Sequence, residues 1–232
     1  MDININNEIL EIMAKAGVMY GHKKSKTHPK MKPFLGGRKN EIELLSPEAT
    51  LETLAKAVEF LKEKKKNGGL VLCVGTLPAH RQAVQSLAEA FNFPFVISRW
   101  LGGTLTNFKI IRERFLYYAG LKSKLEKGEL SKYTKKEQLD FSEQIKKMSK
   151  FFDGLTNLSR IPDALLIVDI NEHSTALREA KRIKIPVIAL VDSNDDPTAV
   201  DYPIIANDHA KASIDWVLQK ISENLKLESD VV

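Results

Sequence analysis

From residue 70 onward the chain alternates short runs that are apolar throughout with longer segments that are apolar at every third or fourth position. The continuous runs are Leu70 to Val74, Pro94 to Ile97, Ala164 to Val168, Pro186 to Val191 and Ile204-Ile205. A strand without polar alternation needs cover on both faces, the condition of a parallel sheet. Pro78 to Phe91, Ser174 to Ile183 and Asp208 to Leu225 have helical spacing and supply that cover. The pattern predicts an α/β fold: a doubly wound, mainly parallel sheet flanked by helices.

Ahead of this core, Asn7 to Lys15 sets Ile9, Ile12 and Met13 at helical spacing and stops at Gly17. Phe34-Leu35 and Ile42 to Leu45, separated by Gly36 to Asn40, predict a small hairpin. Ser46 and Pro47 open a helix that runs through Ala55, Val58 and Leu61 to Asn67-Gly68-Gly69. Between 105 and 157 the strand–helix alternation lapses. Phe108, Ile111, Phe115 and Tyr118 form one apolar stripe, and Phe141, Ile145, Met148, Phe152 and Leu155 another. Lys127-Gly128-Glu129 breaks the helix and Thr134-Lys135-Lys136-Glu137 has the capping-box spacing that restarts it. Residues 105–157 are therefore expected to form an antiparallel coiled-coil hairpin. It is inserted into an α/β core of residues 1–104 and 158–232, which carries a basic N-terminal arm over about 17–40.

The chain has 232 residues, 43% of them apolar, enough for a substantial core. No run approaches the roughly 18 apolar residues of a membrane span. Met1 to Leu10 lacks the basic segment and cleavage site of a leader peptide. A cytoplasmic protein, or one of an organellar stroma or matrix, is expected. Cys73 lies inside an apolar run and reads as a core residue, so no internal disulfide is available.

Charge is distributed unevenly about a net +5. Residues 1–40 hold 8 basic against 3 acidic side chains, residues 108–150 hold 12 against 6, and residues 151–232 hold 8 against 14. Two basic regions and an acidic C-terminal third suggest one face for a polyanion and another for different contacts. Gly21 to Pro33 has almost no apolar content, so a surface position is expected, and the stretch from His22 to Lys39 mixes Lys, His and Arg with Pro and paired Gly, for which phosphate neutralisation is the natural use. No recognition helix or finger for DNA is evident, and recognition of folded RNA by shape and backbone fits better.

Arg99-Trp100-Leu101-Gly102-Gly103-Thr104-Leu105-Thr106-Asn107 follows a strand-like run and opens the insertion. It offers stacking and cation–π contact, close backbone approach, and hydroxyl and amide groups for phosphate or ribose. The same residues also suit a helix entry, with Thr106 or Asn107 as cap, the Gly pair as a turn and Trp100 in a core. At the strand ends, Gly75-Thr76 lacks the glycine spacing of a dinucleotide site and the lysine of a P-loop. Asp169 and Asp192 can hold Mg²⁺, and a Mg²⁺-dependent enzyme acting on a phosphorylated small molecule is the alternative reading. His22, Asp192, Asp208 and His209 can form a metal site if the fold gathers them, although Asp208 also suits a helix N-terminus. His80 and His173 have no evident nucleophile beside them, which argues against acid/base catalysis.

Gly17 to His22, His28-Pro29-Lys30-Met31, Val74-Gly75-Thr76, Arg99 to Asn107, Thr134 to Glu137, Pro162-Asp163, Ile185 to Ile188 and Asp192 to Asp208 follow one another in an order that closely resembles ribosomal protein S2 of the small subunit. The resemblance runs from about Ala14 to Ile221, and its Trp-Leu-Gly-Gly form resembles the bacterial and organellar branch. It implies a non-enzymatic structural protein of the ribosome that binds small-subunit rRNA. Neighbouring small-subunit proteins are implied as partners, among them ribosomal protein S1, with no required cofactor. It further implies a Zn²⁺ or Mg²⁺ ion, held in some members at the positions matching His22, Asp192, Asp208 and His209. The pair Asp208-His209 stands where the family usually has two aspartates, and Ile205-Ala206 where it usually has Ile-Pro-Gly. Charge and resemblance together nominate Lys23, Lys24, Lys26, Lys30, Lys32, Arg38 and Lys39 for RNA contact, with Arg99 and Lys109 beside them. Arg99 and Trp100 have a second option, which is to lock the hairpin to the sheet.

Overall fold

The computed structural model describes residues 7–226, so the first six residues of the polar N-terminus lie outside the described residues. Helix α1 (Asn7–Ala16) leads into β1 (Tyr20–Lys23), β2 (Leu35–Lys39) and β3 (Ile42–Leu45), followed by α2 (Pro47–Lys66). The core then runs β4 (Val71–Val74), α3 (Pro78–Ala90) and β5 (Phe95–Val96). After α4 (Phe108–Glu126) and α5 (Lys135–Phe152) it resumes with β6 (Ala164–Val168), α6 (Ser174–Arg182), β7 (Val187–Val191), β8 (Tyr202–Ile205) and α7 (Lys211–Lys226). The fold is α/β, as the apolar runs predict.

Five parallel strands pair in the order β5-β4-β6-β7-β8. Every residue of β4, β6 and β7 is buried, which is why these runs carry no polar alternation. Val71, Cys73, Leu166, Val168, Ile188 and Leu190 pack with α1, α2, α3 and α7 on one face. Leu72, Val74, Leu165, Ile167, Val187 and Ala189 pack on the other with α6 and the roots of α4 and α5. Chain order reverses between β4 and β6, so the carboxyl ends of these strands flank the crevice where open α/β sheets place their ligands.

The last strand starts at Tyr202, two residues earlier than its apolar pair suggests, and Pro203 is tolerated because β8 is an edge. The last helix starts at Lys211. Asn207 Oδ1 accepts from the backbone N–H of His209 and Ala210, so the chain turns there and Asp208 does not serve as a first-turn acid.

A second, antiparallel sheet of order β1-β3-β2 holds the N-terminal arm. Its β2–β3 hairpin turns on Asn40 and Glu41, both left-handed (φ 49° and 64°), as a two-residue turn requires. Strand β1 joins it although Tyr20-Gly21-His22-Lys23 has no strand-like alternation. The arm is also less superficial than its composition implies, because a short helical turn over Pro29–Phe34 drives Met31 fully into the second core cluster.

Helices α4 and α5 pack against each other, with Tyr118 and Phe152 stacked at 6.0 Å and Tyr117 Oη donating to Gln144 Oε1 at 3.4 Å. Gly128 (φ 71°) makes the turn between them. The box at Thr134 and Glu137 is closed in both directions. At the root of α4, the carboxylate of Glu179 on α6 collects one whole loop. Oε1 accepts from Trp100 Nε1 (3.0 Å) and Gly103 N (2.8 Å), and Oε2 from Leu105 N (3.0 Å), Thr106 N (3.2 Å) and Thr106 Oγ1 (3.2 Å).

Burial pushes the Glu179 carboxyl upward, but these donors outweigh it and hold it below the ordinary glutamate value. A lowered folded pKa stabilises in full above the free value, and the stabilisation fades as pH falls through the folded one. Glu179→Gln is therefore expected to cost about 3 kcal/mol in urea unfolding at neutral pH. The gap to wild type should narrow once the pH drops below about 4. An equal gap at both pH values would contradict this role for the charge.

Candidate RNA interface and the acidic edge of the sheet

Four aspartates come together, buried, at the carboxyl ends of β6, β7 and β8. They are Asp169 (4% exposed), Asp192 (1%), Asp195 (1%) and Asp208 (1%). Parallel strands bring this about, because every strand delivers its following residue to the same edge. Asp169 is held left-handed (φ 68°), and its Oδ1 accepts from the N–H of Asn171 (2.9 Å) and Glu172 (3.0 Å). Asp195 Oδ2 accepts from Asp192 N (3.0 Å), and its Oδ1 accepts from Asn171 Nδ2. Burial, then repulsion from Asp208, raises Asp195 well above the ordinary aspartate range. Asp208 is pushed up to about 6, first by burial, with the charges of Asp169 and Asp192 adding to it.

The N-terminal arm closes over this edge. His22 Nδ1 lies 3.0 Å from Asp192 Oδ2, and His22 N donates to Ser193 Oγ at 2.7 Å. His28 N donates to Ser193 O (2.8 Å), and Asn207 N to Val18 O (3.0 Å). His209 Nδ1 lies 2.5 Å from Asp208 Oδ1, and its ring meets His22 edge-on at 4.9 Å. The partner carboxylates raise both imidazoles, Asp192 raising His22 and Asp208 taking His209 to about 9.

All four metal candidates thus gather at one place. His22, Asp192 and His209 offer ligand atoms within 4.8 Å of one another, as do Asp169, Asp208 and His209. Asp208 Oδ2 is buried without a hydrogen-bond partner. An orphaned carboxylate oxygen beside imidazoles and further carboxylates is the setting a divalent cation satisfies. The alignment of the strands also brings Asp169, at the end of β6, and Asp195 into this cluster.

Two imidazoles make hydrogen bonds at the carboxyl ends of β4 and β6. His173 Nδ1 sits 2.8 Å from the Asp169 carbonyl, and its Nε2 accepts from Thr76 N (3.1 Å). His80 Nε2 lies 3.0 Å from the Asp208 carbonyl, and burial lowers this imidazole to about 4. A Cβ on Gly75 would come within 2.7 Å of Val84 Cγ2, so the glycine serves the packing of α3. These residues brace the sheet end.

The nominated basic residues divide into two groups. Lys30 Nζ donates to Asp196 Oδ2 (2.8 Å) and Thr198 Oγ1 (2.6 Å), and Arg38 pairs with the buried Glu43 (3.2 Å), so both are engaged within the protein. Lys23, Lys24, Lys26, Lys32 and Lys39 are exposed and carry no ion pair among the described residues. Arg99 and Lys109 are exposed beside the Glu179-bound loop. Trp100 is half-buried, with its indole N–H directed inward to Glu179. Gly102 is exposed, Gly103 is left-handed (φ 88°), and Asn107 stands at the start of α4 without a side-chain cap bond. Glu179 itself escaped sequence reading, since 73 to 79 residues separate it from its donors.

Residues 13–226 match the family model described as Ribosomal protein S2. The chain is similar to the small ribosomal subunit protein uS2 of Coprothermobacter proteolyticus, at 38% identity over 214 residues that cover 92% of this chain and 80% of the relative. It is similar also to uS2 of Rhodopirellula baltica (37%, covering 94% and 84%) and of Roseiflexus castenholzii (36%, covering 92% and 81%).

The seat of the arm is tight. A Cβ on Gly21 would lie 2.6 Å from Ser193 Oγ and 3.1 Å from Asp192 Oδ1. Gly21→Ala is expected to lift β1 from the sheet edge at a cost of about 1–3 kcal/mol in thermal or urea unfolding. Unchanged stability, with His22 amide exchange as slow as in wild type, would show that the seat is looser than described.

Proposed function

The chain belongs to the ribosomal protein S2 family, and we infer that it holds small-subunit rRNA through the exposed lysines of its N-terminal arm and the basic root of α4. It is a structural constituent of the small ribosomal subunit, it acts in translation, and it is not an enzyme. Its place is the ribosome, and among the described residues no helix is long and apolar enough to cross a membrane.

The observation that carries the RNA reading is the unpaired state of Lys23, Lys24, Lys26, Lys32 and Lys39 on an arm fixed by backbone hydrogen bonds. Exposed cations on a preorganised strand and its turns neutralise phosphates with little ordering cost. Arg99 and Lys109 extend the surface to the root of α4. Lys30 and Arg38, already paired, are assigned the supporting role of shaping the arm. In this reading residues 105–157 form a coiled-coil insertion whose lysine-rich flanks face RNA. The acidic C-terminal third meets neighbouring proteins, ribosomal protein S1 among them.

At the acidic edge the residues fit a divalent cation. His22, Asp192, Asp208 and His209 would hold it, with Asp169 close by, and a mixed imidazole and carboxylate set suits Zn²⁺ better than Mg²⁺. The ion would act structurally, by neutralising like charges and fixing the arm. About one Zn²⁺ per purified chain is expected by elemental analysis, with loss of the metal in Asp208→Asn. Metal-free wild-type protein after purification in Zn²⁺ would overturn that assignment.

The RNA reading is tested by titrating purified protein with small-subunit rRNA across a salt series. The logarithm of affinity should fall linearly with the logarithm of salt. Lys23→Ala, Lys24→Ala and Lys26→Ala should each reduce that slope by about one without changing the fold. Salt-independent binding, or slopes unmoved by all three substitutions, would refute the arm as the contact surface.

A further inference from the structure

The segment from Arg99 to Asn107, between β5 and α4, contains five donors that converge on one side chain. Trp100 Nε1, the backbone N–H of Gly103, Leu105 and Thr106, and the Thr106 hydroxyl all donate to the carboxylate of Glu179. Gly103 reaches it because its left-handed backbone turns the N–H inward. Helix α4 starts at Phe108 with no side-chain cap of its own, since Asn107 makes no capping bond. The ordering of this helix entry has passed to a residue on another helix. That helix, α6, is itself fixed to the sheet through Ala176, Leu177 and Ala180.

The opposite end of the helix pair is attached differently. After α5, Gly154 runs so close to β5 that a Cβ there would lie 2.3 Å from the Phe95 carbonyl oxygen. Tyr118 Oη donates to Asp153 Oδ1 at 2.5 Å, which ties α4 back to the end of α5. Beyond the apolar packing of its roots on the sheet, the pair is attached to the sheet domain at two further places, a close backbone contact at β5 and a charged anchor at α6. Apolar contacts are non-directional, and the directed hydrogen bonds at α6 are what fix the angle of the pair.

We propose that Glu179 is the positioning residue that sets the direction of the α4–α5 pair relative to the sheet. It thereby holds Arg99, Lys109 and Arg112, all exposed at the root of α4, in a fixed register with the lysines of the arm. The RNA part of this proposal rests on the reading given under Proposed function, whereas the geometric part does not. Two basic surfaces in fixed register bind one polyanion with a high effective concentration, which a pivoting joint dilutes.

The test uses the full chain carrying spin labels at Leu139→Cys on α5 and Ala212→Cys on α7, both exposed positions. Native Cys73 is fully buried and its thiol is pushed up to about 12, so it stays unlabelled. The label–label distance distribution is measured by pulsed electron resonance, and amide exchange is followed in β4, β6 and β7. In Glu179→Gln the distribution should broaden at least about twofold while strand protection persists, and rRNA affinity should fall by about tenfold. Glu179→Asp, which keeps the charge, should restore part of the width. Trp100→Phe and Thr106→Val, which each delete one donor, should broaden it to a smaller degree and serve if Glu179→Gln does not fold.

A distribution as narrow as wild type in a folded Glu179→Gln or, failing that, in both single-donor variants overturns the positioning role. A broadened distribution with unchanged rRNA affinity supports it and instead removes the α4 root from the RNA surface.

Discussion

Three neighbouring parallel strands, β6, β7 and β8, whose following loops carry aspartates to one edge create the constraint around which this protein is arranged. Asp169, Asp192, Asp195 and Asp208 occupy one buried edge, and four negative charges cannot share it in a poorly solvated setting without compensation. The compensation comes from several sources. Backbone N–H groups cap Asp169 and Asp195 and imidazoles stand against Asp192 and Asp208, while one oxygen of Asp208 has no hydrogen-bond partner. Because His22 belongs to the arm, the electrostatic demand of the sheet edge also helps to seat the arm. The arm is a strand sewn to the core rather than a loose basic tail, and its lysines inherit that rigidity.

A second carboxylate does comparable work on the other side of the sheet. Glu179 collects the loop that opens the inserted helices, and it stays ionised because five donors outweigh the cost of its burial. Both devices have the same logic: a buried acid on the sheet domain orders a segment that composition alone would leave irregular. In each case the basic side chains of that segment are left exposed. Among the described residues the nominated cations divide into those that pair with an acid of the protein and those that do not, and the proposed RNA surface is drawn from the second group. Lys30 and Arg38 fall on one side of that division, Lys23 and Lys24 on the other.

Local signals carried most of the fold. Strands β4, β6 and β7 are legible because a strand covered on both faces needs apolar residues throughout, and α2 and α5 because Ser46-Pro47 and Thr134 with Glu137 are capping chemistry written in adjacent residues. What escaped depends on distant partners. Strand β1 exists because β3 and Ser193 pair with it, and nothing in Tyr20-Gly21-His22-Lys23 itself favours extension. Met31 reads as one apolar residue in a basic loop until a helical turn points it inward. The metal candidates were legible as residue types and through the family resemblance, whereas Asp195 joins them only through strand register. The motif from Arg99 to Asn107 stands out by composition, yet its inward-facing donors make sense only once Glu179 is placed opposite them.

Exposed lysines without an ion pair among the described residues are proposed to meet the RNA of the small subunit. Sedimentation of a cell lysate through sucrose gradients at low and high salt, with the protein followed by antibody, asks this directly. Co-migration with small subunits at low salt and partial release at high salt is the expected result. Migration as a free protein of its own size under both conditions would contradict it.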